Sequence, residues 1–334
     1  MRSVNSGKTN PVIILFILSA VFLPSCAKKE ISETKFLMDT VMEIKASGRI
    51  SNFDLVWQDI QALDDKLSPY KENSEISAVN KSAGLRAVKV SAETAGFLSS
   101  TLEFSKKASG VFDPTVYPLV QLWNVTSGNP KVPPQNAVRT ALSLVDYRKV
   151  TIVSGSVYLE RKGMGLDLGG DAKGYVCDIA VKDLQKAGAT EGLINAGGNI
   201  EVFGDRTWQI GIRHPRNAND TFAVINLKNC AAATSGDYER YFIKDGVRYH
   251  HILDLKTGYP ARRAVSATVI APTGLLSDLL STTVFILGPK DGLELLKKFP
   301  GTEGIIVDLD GNVFVSEGLK NAGLPQTISL FSKK

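Results

Sequence analysis

Histidine and cysteine are scarce in this chain, with 3 of each among 334 residues. Neither an HExxH nor a CxxC spacing occurs, which excludes the common zinc arrangements. A Walker loop (GxxxxGK[ST]) and a GxGxxG fingerprint are also missing, so the usual nucleotide-binding signatures do not apply. Charge of one sign is not in large excess: 39 Lys+Arg against 34 Asp+Glu gives +5, with no basic block, so no nucleic-acid partner is expected. The hydrophobic share of 43% and charged share of 22% are globular proportions, neither disordered nor collagen-like.

The N-terminus reads as an address. Arg2 and Lys8 precede an apolar run at residues 12–23 (VIILFILSAVFL). That run is shorter than the roughly 20 residues a membrane helix needs, but it suits the core of a signal peptide. It ends in Leu23-Pro24-Ser25-Cys26, which resembles a bacterial lipobox. The expectation is a signal segment over 1–25, lipidation at Cys26 and a polar tether to residue 35. Acyl chains would hold the protein at a membrane surface without a span. The alternative is an ordinary signal peptide with an incidental Cys26. Cys177 and Cys230 remain, and two free buried thiols are favoured over a disulfide.

Beyond residue 35, Asn52 is placed to cap an amphipathic helix with Phe53, Val56, Ile60, Leu63 and Leu67 on one face. Residues 68–84 are polar and turn-rich, residues 91–109 read as a helix, and residues 126–135 read as a connector. Strands are expected at 148–153, 156–160, 192–195, 207–213, 222–228 and 264–271. Helices are expected at 174–188 and 275–287, with tight turns at Asp245-Gly246 and Asp310-Gly311. Helices mostly early and strands mostly late argue an α+β fold.

Four segments carry chemistry. Residues 165–175 (GLDLGGDAKGY) place glycines before a helix, where backbone N–H groups can approach an anion. Asp167, Asp171 and Lys173 crowd that turn and are costly to bury without partners. Residues 195–199 (NAGGN) suggest a strand end approached closely by something, or a β-bulge. His250 and His251 are neighbours in an extended stretch, so they point to opposite faces, one toward a site and one exposed. Asp278 and Thr282 are i and i+4 on an apolar helix with Ser281 close by; hard oxygens of this kind suit Mg²⁺, although a capped or salt-bridged Asp278 reads equally well. A penicillin-recognising serine enzyme would use Ser68-Pro69-Tyr70-Lys71, Ser127-Gly128-Asn129 and Lys256-Thr257-Gly258. Its nucleophile must open a buried helix, and the polar residues after Ser68 oppose that.

Taken in order, Met38-Asp39-Thr40, Leu67-Ser68-Pro69-Tyr70, Phe112-Asp113-Pro114-Thr115, the 167–175 and 195–199 glycine segments, residues 235–240 (SGDYER), His251 through Asp254, Thr257-Gly258-Tyr259-Pro260 and Asp278 through Thr282 resemble the ApbE family, the FAD:protein FMN transferases. The resemblance runs over residues 36–331. It implies an α+β fold with two subdomains around an FAD cleft. It also implies Mg²⁺ as cofactor and FAD as substrate, whose FMN half passes through a phosphoester to a Thr or Ser of an acceptor flavoprotein in a membrane redox complex, with AMP released. Alternatives are an FAD pyrophosphatase of the same fold and a flavin-binding lipoprotein without catalysis.

By position, the resemblance implies Asp278, Thr282 and the Gly170 carbonyl as metal ligands, with Ser281 as an extra. Met38, Tyr70, Phe112, Asp113, Asp167, Lys173 and Ile252 would line the FAD site. His251 would act near the pyrophosphate, and Asp167 would take the proton of the attacking hydroxyl. The implied location is the bacterial cell envelope, facing the periplasm. Two positions depart from the family pattern: Asp39 replaces a usual Gly and Asp171 a usual aliphatic residue.

Overall fold

The computed structural model describes residues 30–321. The expected signal segment, the expected lipidation site Cys26 and residues 322–334 lie outside them. Eight strands form one sheet: β1 (Glu30–Leu37), β2 (Thr40–Gly48), β3 (Ala189–Ala196), β4 (Asn199–Phe203), β5 (Cys230–Gly236), β6 (Ser266–Ala271), β7 (Glu303–Val307) and β8 (Val313–Val315). They lie side by side in chain order, each antiparallel to the next. The architecture is α+β, as the sequence argues.

The helices are α1 (Asp54–Leu67), α2 (Glu75–Lys81), α3 (Ala92–Lys107), α4 (Tyr117–Trp123), α5 (Gln135–Leu142), α6 (Ala172–Lys186), α7 (Gly274–Leu296) and α8 (Glu317–Asn321). The apolar stripe of α1, including Val56, Ile60, Leu63 and Leu67, is buried with Met42 and Ile44 of β2. Each such side chain removed from water contributes about 1.5–3 kcal/mol before the entropy of ordering is counted. Helices α6 and α7 pack together and against the sheet. On the other side, Trp208, Ile212, Ile225 and Leu227 of the hairpin formed by Trp208–Arg213 and Thr221–Leu227 pack with Val202, Val307 and Val313. Helix α7 is interrupted at Gly288 (φ 76°), followed by Pro289, so its first segment ends at Leu287 as the sequence indicates.

Four expectations need correction. Residues 30–35 belong to an edge strand, not a tether; β1 mixes Glu30, Glu33 and Lys35 with apolar residues, as exposed edges do, and its hydropathy hides it. Residues 68–84 contain α2, capped by the Ser74 hydroxyl accepting from Ser77 N–H. Asn52 sits one residue before the N-cap of α1 and accepts from Asp54 N–H at 3.2 Å. The strand-late pattern also fails, since β1 and β2 complete the sheet.

Cys177 and Cys230 are both free. Cys177 is in the core with α1 and α6, whereas Cys230 packs with Val202 and Trp208.

Candidate active site

The β1–β2 and β3–β4 turns and the C-terminal end of β5 meet at one end of the sheet. A cavity of about 720 Å³ opens there, within the usual size range for small-molecule sites. Its walls include Met38 and Thr40, Tyr70, Phe112, the 167–173 glycine turn, His251, Ile252 and α7.

The turns are built by left-handed backbone. Met38 and Asp39 have φ of 52° and 55°. Asp tolerates that region better than most residues, so Asp39 can hold a left-handed turn position that glycine would also suit. Gly197 (φ 62°) has no such latitude, because a Cβ there would lie 2.1 Å from Thr40 Oγ1.

The decisive contact joins α6 to α7. The Gly174 N–H donates to Asp278 Oδ2 at 2.9 Å. One turn along α7, the Thr282 hydroxyl lies 3.2 Å from Ser235 Oγ on β5. A Cβ built on Gly170 would sit 3.8 Å from Thr282 Oγ1 and 3.1 Å from the Phe112 ring, so the glycine turn abuts α7. Asp278 and Thr282 thus lie on one face of α7 beside the Gly170 backbone. Among the described residues no group of three His, Cys, Asp or Glu side chains gathers to hold a metal. A set of one carboxylate, a hydroxyl and a carbonyl suits Mg²⁺, which keeps several waters and shares its shell with phosphates. Burial raises the Asp278 pKa, partly offset by Lys173, the Gly174 N–H and Asn199. Ser281 stands apart from the cavity wall: it is 1% exposed, bonded to Asp278 O at 3.0 Å and to Ser235 Oγ at 2.9 Å. It backs the site and does not line it.

Both oxygens of Asp167 accept hydrogen bonds. Oδ2 accepts from the Tyr70 hydroxyl at 2.7 Å and Oδ1 from Gly169 N–H at 2.9 Å. Burial, then the Asp167 charge, raises the Tyr70 pKa, so the phenol keeps its proton. Lys173 Nζ lies 3.3 Å from Gly169 O. Asp113 borders the cavity, yet its oxygens are taken by Thr115 N–H, Thr115 Oγ1 and Tyr147 N–H at 2.6–2.8 Å. It fixes the loop that presents Phe112.

The two histidines part as strand alternation requires, but neither is freely exposed. His250 is 4% exposed; Nε2–H donates to Ala261 O at 2.8 Å and Nδ1 accepts from Ile252 N–H at 3.2 Å. The half-buried His251 lines the cavity. Its Nδ1 lies 3.2 Å from Arg240 O, an acceptor only, which assigns the proton to Nδ1 and leaves Nε2 as the ring's acceptor. Burial and then His250 push its pKa down to about 3.

Ser68 follows α1 instead of opening a helix, and Lys71 Nζ is held by Asp64 at 2.6 Å and Asp65 at 2.7 Å. The penicillin-recognising arrangement is thereby excluded.

A profile described as the ApbE family matches residues 38–306. The chain belongs to the ApbE family. It is similar to the FAD:protein FMN transferase of Treponema pallidum, 34% identical over 281 residues that cover 78% of each chain. Similarity to the FAD:protein FMN transferase of Haemophilus influenzae is 32% over 329 residues, covering 91% of this chain and 94% of that one. Among solved structures, the ApbE protein of Thermotoga maritima superposes with a TM-score of 0.82 at 35% identity, covering 88% of this chain and 99% of that one. The flavin transferase ApbE of Vibrio cholerae gives 0.79 at 25% identity, with the same coverage.

Sequence reasoning left several site residues without a role. Ser235, Asn199 and Arg240 sit in segments it singled out, but their roles depend on the turn geometry at the sheet end. Glu201 and Asp178 gave no signal at all. They lie on β4 and α6, and Asp178 accepts from Gly274 N–H at 2.7 Å and Leu275 N–H at 3.0 Å, holding the start of α7.

Proposed function

We propose that this ApbE-family chain is a Mg²⁺-dependent FAD:protein FMN transferase. It cleaves the FAD pyrophosphate, passes FMN to a Thr or Ser hydroxyl of an acceptor flavoprotein and releases AMP. The observation that carries the reading is that Asp278 and Thr282 lie on one face of α7 beside the Gly170 backbone, at the cavity. Those three would hold the ion, which when bound neutralises charge on the phosphate oxygens.

This chain's own residues do the rest. Tyr70 offers a flat face beside the mouth of the cavity, held by its bond to Asp167. Phe112 and Ile252 supply apolar wall and keep water out. Lys173 places a positive charge against the dinucleotide's phosphates. For the attacking hydroxyl's proton the chain offers two acceptors: Asp167, whose oxygens keep lone pairs after accepting from Tyr70 and Gly169, and His251 Nε2, which is free but weakly basic. Positioning lowers the remaining barrier.

The lipobox-like segment supports a further part of the reading: anchoring through lipid on Cys26 at a membrane of the cell envelope, on the periplasmic side, where the acceptor would be a subunit of a membrane redox complex. No helix among the described residues is long and apolar enough to cross a membrane.

The test is incubation of the purified protein with FAD, Mg²⁺ and a candidate acceptor subunit, followed by mass spectrometry. Acceptor heavier by one FMN, with AMP in solution, is the expected outcome. Free FMN without modified acceptor would mean a pyrophosphatase, and intact FAD would mean a carrier.

A further inference from the structure

None of residues 208–227 lines the cavity, yet two arginines of the hairpin formed by Trp208–Arg213 and Thr221–Leu227 reach the segment that does. The loop between its strands is folded on itself. His214 N–H donates to Asp220 O at 2.8 Å, and His214 Nδ1 accepts from the N–H groups of Arg216 and Asn217 at 3.1 Å each. From that loop Arg216 Nη1 and Nη2 donate to the two oxygens of Asp237 at 2.6 and 2.8 Å. Such a forked pair fixes direction as well as distance. Asp237 is 6% exposed, and its own N–H donates to Val265 O at 3.1 Å. Arg213, at the end of the first strand, pairs with Glu239 and lies over the Tyr238 ring, 4.8 Å from its centroid.

Residues 237–240 thus follow β5 with both of their acidic side chains tied to one hairpin. The tie ends at the cavity, because Gly236, Glu239, Arg240 and His251 all stand in its wall. The Arg240 carbonyl accepts His251 N–H at 3.1 Å and lies 3.2 Å from His251 Nδ1. One carbonyl therefore sets both the backbone and the ring of His251. Were it displaced, Nδ1–H would lose its acceptor, and the ring could turn or carry its proton on Nε2 instead. In that second tautomer Nε2 is a donor and takes no proton.

We propose that Arg216 is a positioning residue for His251: through Asp237 it fixes the Arg240 carbonyl, which holds the ring's proton on Nδ1 and keeps Nε2 as an acceptor in the cavity wall. The inference rests on His251 serving the transfer. It gives the hairpin a part in the reaction that its absence from the cavity wall conceals. An exposed ion pair would carry little weight, but Asp237 is buried, so loss of Arg216 leaves a carboxylate that must move toward water and take its segment with it.

The test reads the ring directly. The chain holds 3 histidines. The neighbouring two have opposite tautomers, with Nε2–H in His250 and Nδ1–H in His251. Long-range ¹H–¹⁵N spectra of the full chain labelled at histidine separate them, with His251→Ala as the assignment control. Arg216→Gln is expected to lose the pure Nδ1–H pattern at His251 while His250 keeps its own. Its kcat for AMP release from FAD, with Mg²⁺ and the acceptor subunit, is expected to fall by about 10–100-fold with KM for FAD within about twofold, as a displaced reacting group would cause. Arg216→Lys keeps the charge without the fork and is expected to fall between the two. Should Arg216→Gln not fold, Arg216→Met combined with Asp237→Leu removes both charges together and is read the same way. Unchanged His251 signals in the Arg216 variant, or an equal further fall in turnover when His251 is already replaced by alanine, would make the pair a structural tie and overturn the proposal. Wild-type turnover in His251→Ala would overturn the reading of His251 itself, which separates the two failures.

Discussion

Gly174→Ala tests the helix crossing on which the site depends. A Cβ at Gly174 would lie 2.2 Å from Gly274 O, 2.6 Å from Gly274 C and 2.7 Å from Asp278 Cβ. Two of these atoms are backbone, so no side-chain rotation relieves the clash. Helices α6 and α7 must separate by about an ångström to restore ordinary contact distances of ~3.5–4.0 Å. That separation stretches the 2.9 Å bond from Gly174 N–H to Asp278 Oδ2. Overpacking of this kind costs about 1–3 kcal/mol, and losing a hydrogen bond to a charged group about 1.5–3 kcal/mol. The two share one displacement and do not simply add, so a loss of about 2–5 kcal/mol is expected in urea unfolding. A misplacement of ~1 Å at a reacting centre costs on the order of 100-fold in rate, so AMP release from FAD should fall by that order. An unfolding free energy within about 0.5 kcal/mol of wild type, with turnover within about twofold, would refute the claim that this crossing positions Asp278.

Asp278→Ala is expected to abolish FAD cleavage; full activity of that variant in EDTA would rule out the metal assignment. Tyr70→Ala is expected to raise KM for FAD by about 2–10-fold, the worth of an aromatic stacking contact, while Tyr70→Phe keeps the face and loses only the bond to Asp167; equal KM in all three proteins would remove Tyr70 from the flavin site. Glu201, buried beside Asp178, has its carboxyl pKa pushed from 4.5 up to about 9, by burial first and the Asp178 charge second. The folded state therefore holds a proton that the unfolded chain releases, so this contribution to stability is full below about pH 4.5 and is lost as pH climbs to about 9. The unfolding free energy from urea titrations should fall across that window by up to about 1.4 kcal/mol per pH unit, and Glu201→Gln should flatten the profile.

What the sequence revealed depended on how local the signal was. Helices α1 and α3 carry an apolar period or a serine cap within their own residues, and the buried stretch from Leu275 to Leu287 ends at a Gly288-Pro289 break that is visible by inspection. β1 was illegible because an edge strand is defined by its neighbour more than by its own hydropathy; β2 is an inner strand whose buried Met42, Ile44 and Ala46 alternate with Glu43 and Lys45, a local signal that the reading of the sequence passed over. The glycine turns stood out, since left-handed backbone and close approach leave glycine few substitutes; Gly174 against Gly274 is the plainest case. Strand alternation separated His250 from His251 but could not say which one met the cavity. The Thr101–Asp171 bond and the Glu201–Asp178 pair join distant parts of the chain, and only packing shows them.

The order of the sheet explains why so many weak motifs make one site. Because the eight strands lie in chain order and alternate in direction, every second connection returns to the same end. The turn at 38–39, the turn at 197–198 and the segment after Gly236 arrive there in sequence, each bearing a short, unremarkable motif. The glycine turn and α6 come from the insertion before β3, and α7 from the one after β6. Neither insertion makes the site alone: the first lacks Asp278 and Thr282, the second the glycine turn. Their crossing at Gly174 and Gly274 joins the halves, which is why a single methyl group at that point is the sharpest available probe of the chemistry.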